Sequence, residues 1–369
     1  FGRHVPPALR ARLVQTLLDL QLPFVEAAIA AARAATAAAV ASGDVLLRGR
    51  VPSRLPEADV ICFGMWTSPE TAARHGVFFC SRQDPAQLVC MVQKPTPDAI
   101  RELSGQALYL IDTGLWLFSR RAVDDLMAAA GWDGSGFREG RPEGLDLYGT
   151  VGEALGQSPR AAHPVWSRWS VAVVPVEDGQ FYHFGTSREL VDTTLRLQNA
   201  HLDQRRFGRG GHEHPAAFLQ NADVGVGLHA GNHTVWIENA VLPPTWSVRH
   251  SHVLTGIPAN DWSLRLPAGV CLDAVPLTGG RWALRFYGID DAFRGPLGDP
   301  GTRWLGQAAS AWFRGRGLDP DGCGLDTAVD LQQSALFPVL SDDEMASAGA
   351  YVQWLIGEPE APGASGDAA

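Results

Sequence analysis

"NADVGVGLHAGNHTVWIENA", residues 221–240, opens and closes on the same dipeptide. Asn221-Ala222 and Asn239-Ala240 stand 18 residues apart. That is the length of one three-sided coil in a left-handed parallel β-helix built from hexapeptides. Such coils bury their apolar faces only by stacking on one another, so the spacing predicts a solenoid. The surroundings agree. Helical periodicity vanishes between about residues 207 and 304, and short β-rich pieces replace it: "HTVWIENAVL", "RHSHVLTGI" and "LRLPAGVCLDAVPL". A Greek-key sandwich would show a similar pattern and stays open as the alternative.

The chain ahead of this region reads differently. Residues 10–34 predict a helix or two, the first pattern stopping at Pro23. An apolar strand follows and breaks at Gly43-Asp44. "ADVICFGMW", "GVFFCS", "AQLVCMVQKP" and "ALYLIDTGLWLFS" predict further strands, with helices at "PDAIRELS" and "SRRAVDDLMAAAG" between and after them. "SVAVVPV" and "QFYHFG" close this half, and "TSRELVDTTLRLQNAHLDQRR" is read as its last helix. Strands alternating with helices predict an α/β domain with a mainly parallel sheet. The expected organisation is an α/β domain over 1–207, a β-helix-like domain over 208–303, a helical segment over 304–358 and a disordered tail over 359–369.

Composition narrows the function. A net charge of −10 argues against a nucleic-acid binder, which needs a basic face, but leaves room for a local cationic pocket. No apolar run approaches the roughly 20 residues of a membrane span. No signal peptide is legible, so the cytoplasm is the expected location. Five cysteines, an odd count without CxxC spacing, read as small buried apolar residues in a reducing compartment.

Basic residues are distributed oddly. Of 30 basic side chains, 29 are arginine; the one lysine is Lys94, in "MVQKPTPD" at the end of a predicted strand. Arginine is a flat fork and lysine a compact point charge, so the two exchange poorly where a single anion oxygen must be met. Gln93-Lys94-Pro95 therefore reads as a phosphate contact stiffened from behind by proline. Asp44 ends another strand, where open α/β sheets bind ligands, and a carboxylate there can hold a divalent ion. Asp112 and Gly114 interrupt a buried strand. Glycine within a strand often marks close approach of another molecule, although a bulge with the carboxylate bonded to backbone amides fits too. Tyr182, His183, Gly185 and Thr186 precede a helix that Thr186 or Ser187 could cap. The pairs His212/His214 and His250/His252 have the same-face spacing of strand ligands but are not read as a metal site, and Trp166, Trp169 and Trp262 read as core or interface.

In order, GDV, QKP, D-x-G-x-W and FYHFGTS followed by a β-helix-like region is similar to sugar-nucleotide pyrophosphorylases. The longer phrases "QTLLDLQLP", "PEADV", "FYHFGTSREL", "NDWSLRLPAGVCLDAVPL" and "YGIDDAFRG" resemble the L-fucose-1-phosphate guanylyltransferase family, over about residues 14–358. That family occurs alone or as the N-terminal part of bifunctional fucokinase/GDP-fucose pyrophosphorylases, so a fused or associated fucokinase is an implied partner. Oligomeric state is left open. The resemblance implies a Rossmann-like nucleotidyltransferase domain followed by a left-handed β-helix. It also implies conversion of GTP and β-L-fucose 1-phosphate to GDP-L-fucose and pyrophosphate with Mg²⁺. Asp44 matches the family's metal-binding aspartate, Lys94 the lysine that meets the sugar phosphate, and Asp112 and Gly114 the sugar-contacting strand.

Two departures stand out. His183 occupies the position of a second metal aspartate in many nucleotidyltransferases, and imidazole is the poorer Mg²⁺ ligand. The Gly-rich loop with a basic residue that cradles a triphosphate is not found after Phe1, so the chain is expected to start just beyond it. Other readings are a sugar-phosphate-binding regulatory module, a pyrophosphorylase for a related sugar such as arabinose, and a hexapeptide acyltransferase using His229 or His233.

Overall fold

A computed structural model describes residues 17–32, 36–201 and 216–357. The expected linker around 207–215, the pair His212/His214 and the tail from 359 lie outside the described residues. No helix among the described residues is long and apolar enough to cross a membrane. The chain forms two compact units, dividing between His183 and Phe184.

The first unit is α/β. Helix α1 (Leu17–Ala32) runs through Pro23 instead of stopping there. Proline removes one helical hydrogen bond, but Phe24, Ala28 and Ala32 lie on one buried face, and that burial outweighs the lost bond. Strands β1 (Thr36–Ala41), β3 (Val60–Met65), β4 (Gly76–Ser81), β5 (Leu88–Gln93), β6 (Ala107–Ser119) and β7 (Val171–Pro175) form one six-stranded sheet. Strands β2 (Val45–Arg50) and β8 (Glu177–His183) pair separately. Helices α2 (Pro69–Ala72), α3 (Pro97–Ser104) and α4 (Arg120–Ala129) connect strands. Ser68, Thr96 and Ser119 cap them by accepting a backbone N–H with their hydroxyls.

The expectation of a mainly parallel sheet is corrected here. Only β3 and β7 pair parallel; β1–β6, β3–β6, β4–β5 and β4–β6 are antiparallel. The β4–β5 connection, residues 82–87, is too short for a parallel crossover, which needs a dozen residues or more.

Strand β6 is the centre. β3 lies along one edge, while the other edge is shared: β4 pairs with residues 107–111 and β1 with 115–119. Residues 112–114 pass from one neighbour to the other. Gly114 makes the passage at φ 72°, where an added Cβ would meet Ser42 Cβ at 2.7 Å.

The second unit contains a parallel β-solenoid. Strands β9 (Ala217–Gln220), β11 (Val235–Glu238), β13 (His252–Thr255) and the start of β14 (Val270–Leu277) stack on one face, with Val235 against both Ala217 and His252. Strands β10 (Asp223–Val224) and β12 (Val241–Leu242) stack on a second face, and Ser247 pairs with Arg265 on a third. The quoted stretch is one coil. Asn221 Nδ2 donates to Asn239 Oδ1 at 2.7 Å. Both asparagines turn a corner in left-handed backbone, φ 47° and 50°, and Gly256 at φ 66° does so in the next coil. Asparagine and glycine tolerate that region best. Val235, Ile237, Leu242, Leu254, Leu264 and Leu272 fill the interior.

The solenoid is shorter than the expected 208–303. Beyond β14 the sheet continues antiparallel, through β15 (Arg281–Gly288) and then Val339–Ser341. Trp312, Phe313, Val352 and Leu355, from the C-terminal helical stretch, share the solenoid's core. Helix α5 (Ser187–His201), read as the last element of the first domain, packs in the second unit instead. Its Val191 and Leu195 cluster with Val253, Cys271 and Ile289. Amphipathic spacing shows that a helix has a buried face, not which sheet it covers. Four cysteines are buried as expected, but Cys323 is exposed in a short turn.

Candidate functional site

The passage of β6 between neighbours leaves a cavity of about 200 Å³, lined by residues that include Ser42, Asp44, Arg74, Gln93, Lys94 and Asp112. Six of the nine residues nominated from sequence meet here: Asp44, Gln93, Lys94, Asp112, Gly114 and His183. Tyr182, Gly185 and Thr186 do not line it. Tyr182 alternates with Phe181 and His183, so the pleat turns it to the other face, where it is buried and donates to Gln180 Oε1 at 3.2 Å. Gly185 and Thr186 belong to the second unit. There Thr186 Oγ1 accepts from Glu189 N at 3.1 Å, which is the capping role.

Each wall follows from local structure. Asp44 lies in the turn between β1 and β2 and is half-exposed. Its Oδ1 accepts from Ser42 Oγ at 2.6 Å, and His183 Nε2 stands 3.3 Å from Oδ2. Burial alone would raise the Asp44 pKa, but the Ser42 hydroxyl and the His183 ring outweigh it, so the carboxyl sits below its ordinary range. It is ionised at neutral pH. His183 stacks on Phe181 and meets His75 edge-to-face, with centroids 6.0 and 5.1 Å apart.

Asp112 is the opposite case. It is 6% exposed, and burial pushes its pKa up to about 6, against hydrogen bonds from Trp116 Nε1 (3.0 Å) and Gly114 N (2.8 Å) to Oδ1. The bulge expected as one alternative for this stretch is thus present, in a residue that also faces the cavity.

Gln93 ends β5 opposite Gly76. Its backbone N–H donates to Glu153 Oε1 at 3.3 Å, while its Nε2 is buried and finds no partner among the described residues. Gly76 makes room for that amide: a Cβ there would lie 2.9 Å from Gln93 Nε2 and 3.4 Å from Asp112 Cβ. Lys94 then breaks the strand at φ 43°, with its N–H on His75 O at 3.1 Å. Its exposed ammonium has no acidic partner among the described residues.

Sequence reading missed Ser42, Arg74, His75, Gly76 and Tyr148. Arg74 and His75 leave a local signal only as the turn between α2 and β4. Tyr148 comes from a distant loop, packs edge-on against Trp116, and has its pKa raised by burial. No three of His, Cys, Asp or Glu gather as metal ligands among the described residues. The pair His250/His252 is structural. His252 is buried, with Nδ1 on Val270 O at 2.7 Å and Nε2 accepting from Arg249 N at 3.1 Å. His229 and His233 sit in a turn, His229 Nδ1 accepting from Gly231 N and His233 stacked on His250.

The chain matches no protein-family model. It is 41% identical over 350 residues, 94% of its length, to a protein named L-fucokinase/L-fucose-1-P guanylyltransferase from Bacteroides fragilis. The match covers 36% of that relative, so the chain spans about a third of its length. The resemblance read from the motifs thus extends, at 41% identity, over nearly the whole chain. Among solved structures it is similar to mannose-1-phosphate geranyltransferase from Thermus thermophilus, at TM-score 0.34 and 15% identity, covering 63% of this chain and 56% of that one. That likeness is too loose to bear on the site.

Proposed function

We infer that this chain is a sugar-1-phosphate nucleotidyltransferase. The observation that carries the reading is one cavity lined by Lys94, unpaired among the described residues, and by an ionised Asp44, with Gln93 and the buried Asp112 beside them. More particularly, the reading is an L-fucose-1-phosphate guanylyltransferase, supported by the 41% identity to the bifunctional relative. The substrates are then GTP and β-L-fucose 1-phosphate, and a fucokinase is the implied partner. A Rossmann-like first unit and left-handed coils in the solenoid are part of the same reading.

The chemistry is an in-line displacement. A phosphate oxygen of the sugar 1-phosphate attacks the α-phosphorus of GTP. A new P–O bond forms, the bond to the β-phosphate oxygen breaks, and pyrophosphate leaves with the electron pair. Positioning and charge neutralisation suffice, with no covalent enzyme intermediate. Lys94 binds and orients the attacking phosphate. Gln93 and Asp112 offer a donor and an acceptor to sugar hydroxyls. Asp44 is the one carboxylate suited to Mg²⁺, which is commonly held by one or two carboxylates together with substrate phosphates. Its half-exposed, ionised Oδ2 fits that role, while the His183 imidazole beside it does not add an oxygen donor. Bound there, Mg²⁺ would neutralise charge on the phosphates.

The test is pyrophosphate release by the protein as its gene encodes it, with each nucleoside triphosphate against several sugar 1-phosphates. GTP with L-fucose 1-phosphate should be the productive pair. Asp44→Asn should lose both activity and its Mg²⁺ dependence while staying folded. A folded protein inactive with every pair would overturn the enzyme reading, leaving a binding module. Activity with a different sugar would overturn only the fucose assignment.

A further inference from the structure

Arg74 is the second cation of the cavity, and neither sequence nor resemblance pointed to it. It follows helix α2 and precedes Gly76, the first residue of β4. Its backbone N–H is bound to Thr71 O at 3.2 Å, but its guanidinium is exposed and makes no ion pair or hydrogen bond among the described residues. The chain carries 40 acidic side chains against 30 basic ones, yet none of the described carboxylates pairs with Arg74. Arg50, Arg101, Arg121 and Arg188 each hold a carboxylate.

Backbone pairing brings Arg74 and Lys94 to the same rim. Gly76 stands across from Gln93, and Lys94 donates its N–H to the carbonyl of His75, the residue next to Arg74. Two exposed cations without counterions among the described residues therefore line the cavity, while Asp112, 6% exposed, and the Gln93 amide, which finds no partner among those residues, lie in its wall. The arrangement has the polarity of a phosphorylated polyhydroxy ligand: charge outward, hydroxyl-reading groups inward. At about 200 Å³ the cavity is below the ~300–1,000 Å³ that drug-sized ligands occupy, so it takes a sugar phosphate rather than a whole nucleotide.

We propose that Arg74 and Lys94 together hold the phosphate of the sugar 1-phosphate, which makes Arg74 a substrate-binding residue. This rests on the reading above. The guanidinium fork meets two of the three terminal oxygens in its plane and the ammonium shares one of those two along its own axis, so the pair defines an orientation that either cation alone would leave free. The free phosphate oxygen is then the one directed at the incoming nucleotide.

Calorimetric titration of the wild-type chain, Arg74→Ala, Arg74→Lys and the surface control Arg120→Lys tests it, using L-fucose 1-phosphate, L-fucose, GTP and inorganic phosphate. Arg74→Ala should weaken L-fucose 1-phosphate binding at least tenfold and flatten its salt dependence, with neutral L-fucose unchanged. Arg74→Lys should restore part of the loss, and Arg120→Lys should match wild type. Affinity within twofold of wild type in Arg74→Ala would overturn the proposal. So would equal loss for neutral L-fucose, which would make the role structural, or loss confined to GTP, which would place the contact on the nucleotide. A wild-type chain that binds no sugar phosphate would overturn the proposed function as well. Unchanged melting temperatures would show that all variants are folded.

Discussion

The cavity wall and the solenoid treat polar groups in opposite ways. Along the solenoid most of them satisfy one another, Trp246 Nε1 being an exception. Asn221 bonds Asn239, Thr255 Oγ1 donates to Asp273, and both ring nitrogens of His252 are taken by backbone. Around the cavity they are held in reserve. Lys94 and Arg74 have no counterion and the Gln93 amide has no partner among the described residues, and Asp112 is buried with a raised pKa. An unsatisfied buried polar group costs about 1–3 kcal/mol, so a fold keeps such groups where something else satisfies them. The concentration of such groups in one cavity marks it as a candidate site without appeal to any relative.

Acid titration should split the two regions most widely. Asp112 has a folded pKa of about 6 against its ordinary 3.8, so the stability it lends is full below about 3.8 and lost as pH rises through 6. Asp112→Asn should therefore stabilise the protein by about 3 kcal/mol at pH 7 and by almost nothing at pH 4. His252 runs the other way, with a folded pKa of about 4 against 6.5. The stability it lends is full above about 6.5 and lost as pH falls through 4. His252→Gln should remove that acid sensitivity, although it costs stability at pH 7 through its lost bonds. Urea unfolding at pH 4, 5, 6 and 7 reads both. A pH-independent difference between Asp112→Asn and wild type would break the contrast.

Replacing Lys94 should cost activity without stability. Lys94→Ala removes a charged contact on the order of 2–3 kcal/mol, roughly a hundredfold in kcat/KM for the sugar phosphate. Lys94→Arg should fall short of wild type too, because a broader head displaced by about 1 Å can cost about a hundredfold in an in-line reaction. Wild-type kcat/KM in Lys94→Arg would show that the lone lysine is incidental.

Two glycines sharpen the same contrast. A Cβ on Gly256, at φ 66°, would meet the backbone oxygen of Ala274 at 2.2 Å, and backbone cannot give way cheaply. Gly256→Ala should destabilise by about 2 kcal/mol or more, seen as a lower denaturant midpoint with sugar-phosphate affinity intact in the folded fraction. Gly76→Ala should do the reverse. Its Cβ would press on Met91 Cε and Gln93 Nε2, the mobile ends of two side chains, at 2.7 and 2.9 Å. Stability should fall by only about 1 kcal/mol, the low end for overpacking, while KM for the sugar phosphate rises severalfold as the amide is displaced. A stability loss in Gly76→Ala matching that in Gly256→Ala would erase the distinction.

Much of the candidate site was legible because its residues break local patterns. Lys94 is a lone lysine among arginines, Gly114 interrupts an apolar strand, and Asp44 ends one. Tyr182 was misplaced for a plain reason: in "FYHFG" the phase of the pleat, not proximity in sequence, decides which side chains face the cavity, and the phase is set by pairing with β2. Arg74 and Tyr148 carried no such mark, since arginines and tyrosines in loops look alike until the loops are placed.

By itself the sequence determined what short-range chemistry determines. Strands 76–81 and 107–119 and the helix 97–104 were legible to the residue, because apolar alternation, proline and capping hydroxyls act within a few positions. The 18-residue repeat was legible too, because a solenoid writes its geometry into its own spacing. Tertiary structure alone decided that the first sheet is mostly antiparallel, that helix 187–201 packs against the solenoid, and that β6 exchanges β4 for β1 at Asp112. These are choices among partners distant along the chain. An apolar face states that it must be buried, and only the packed fold determines against what.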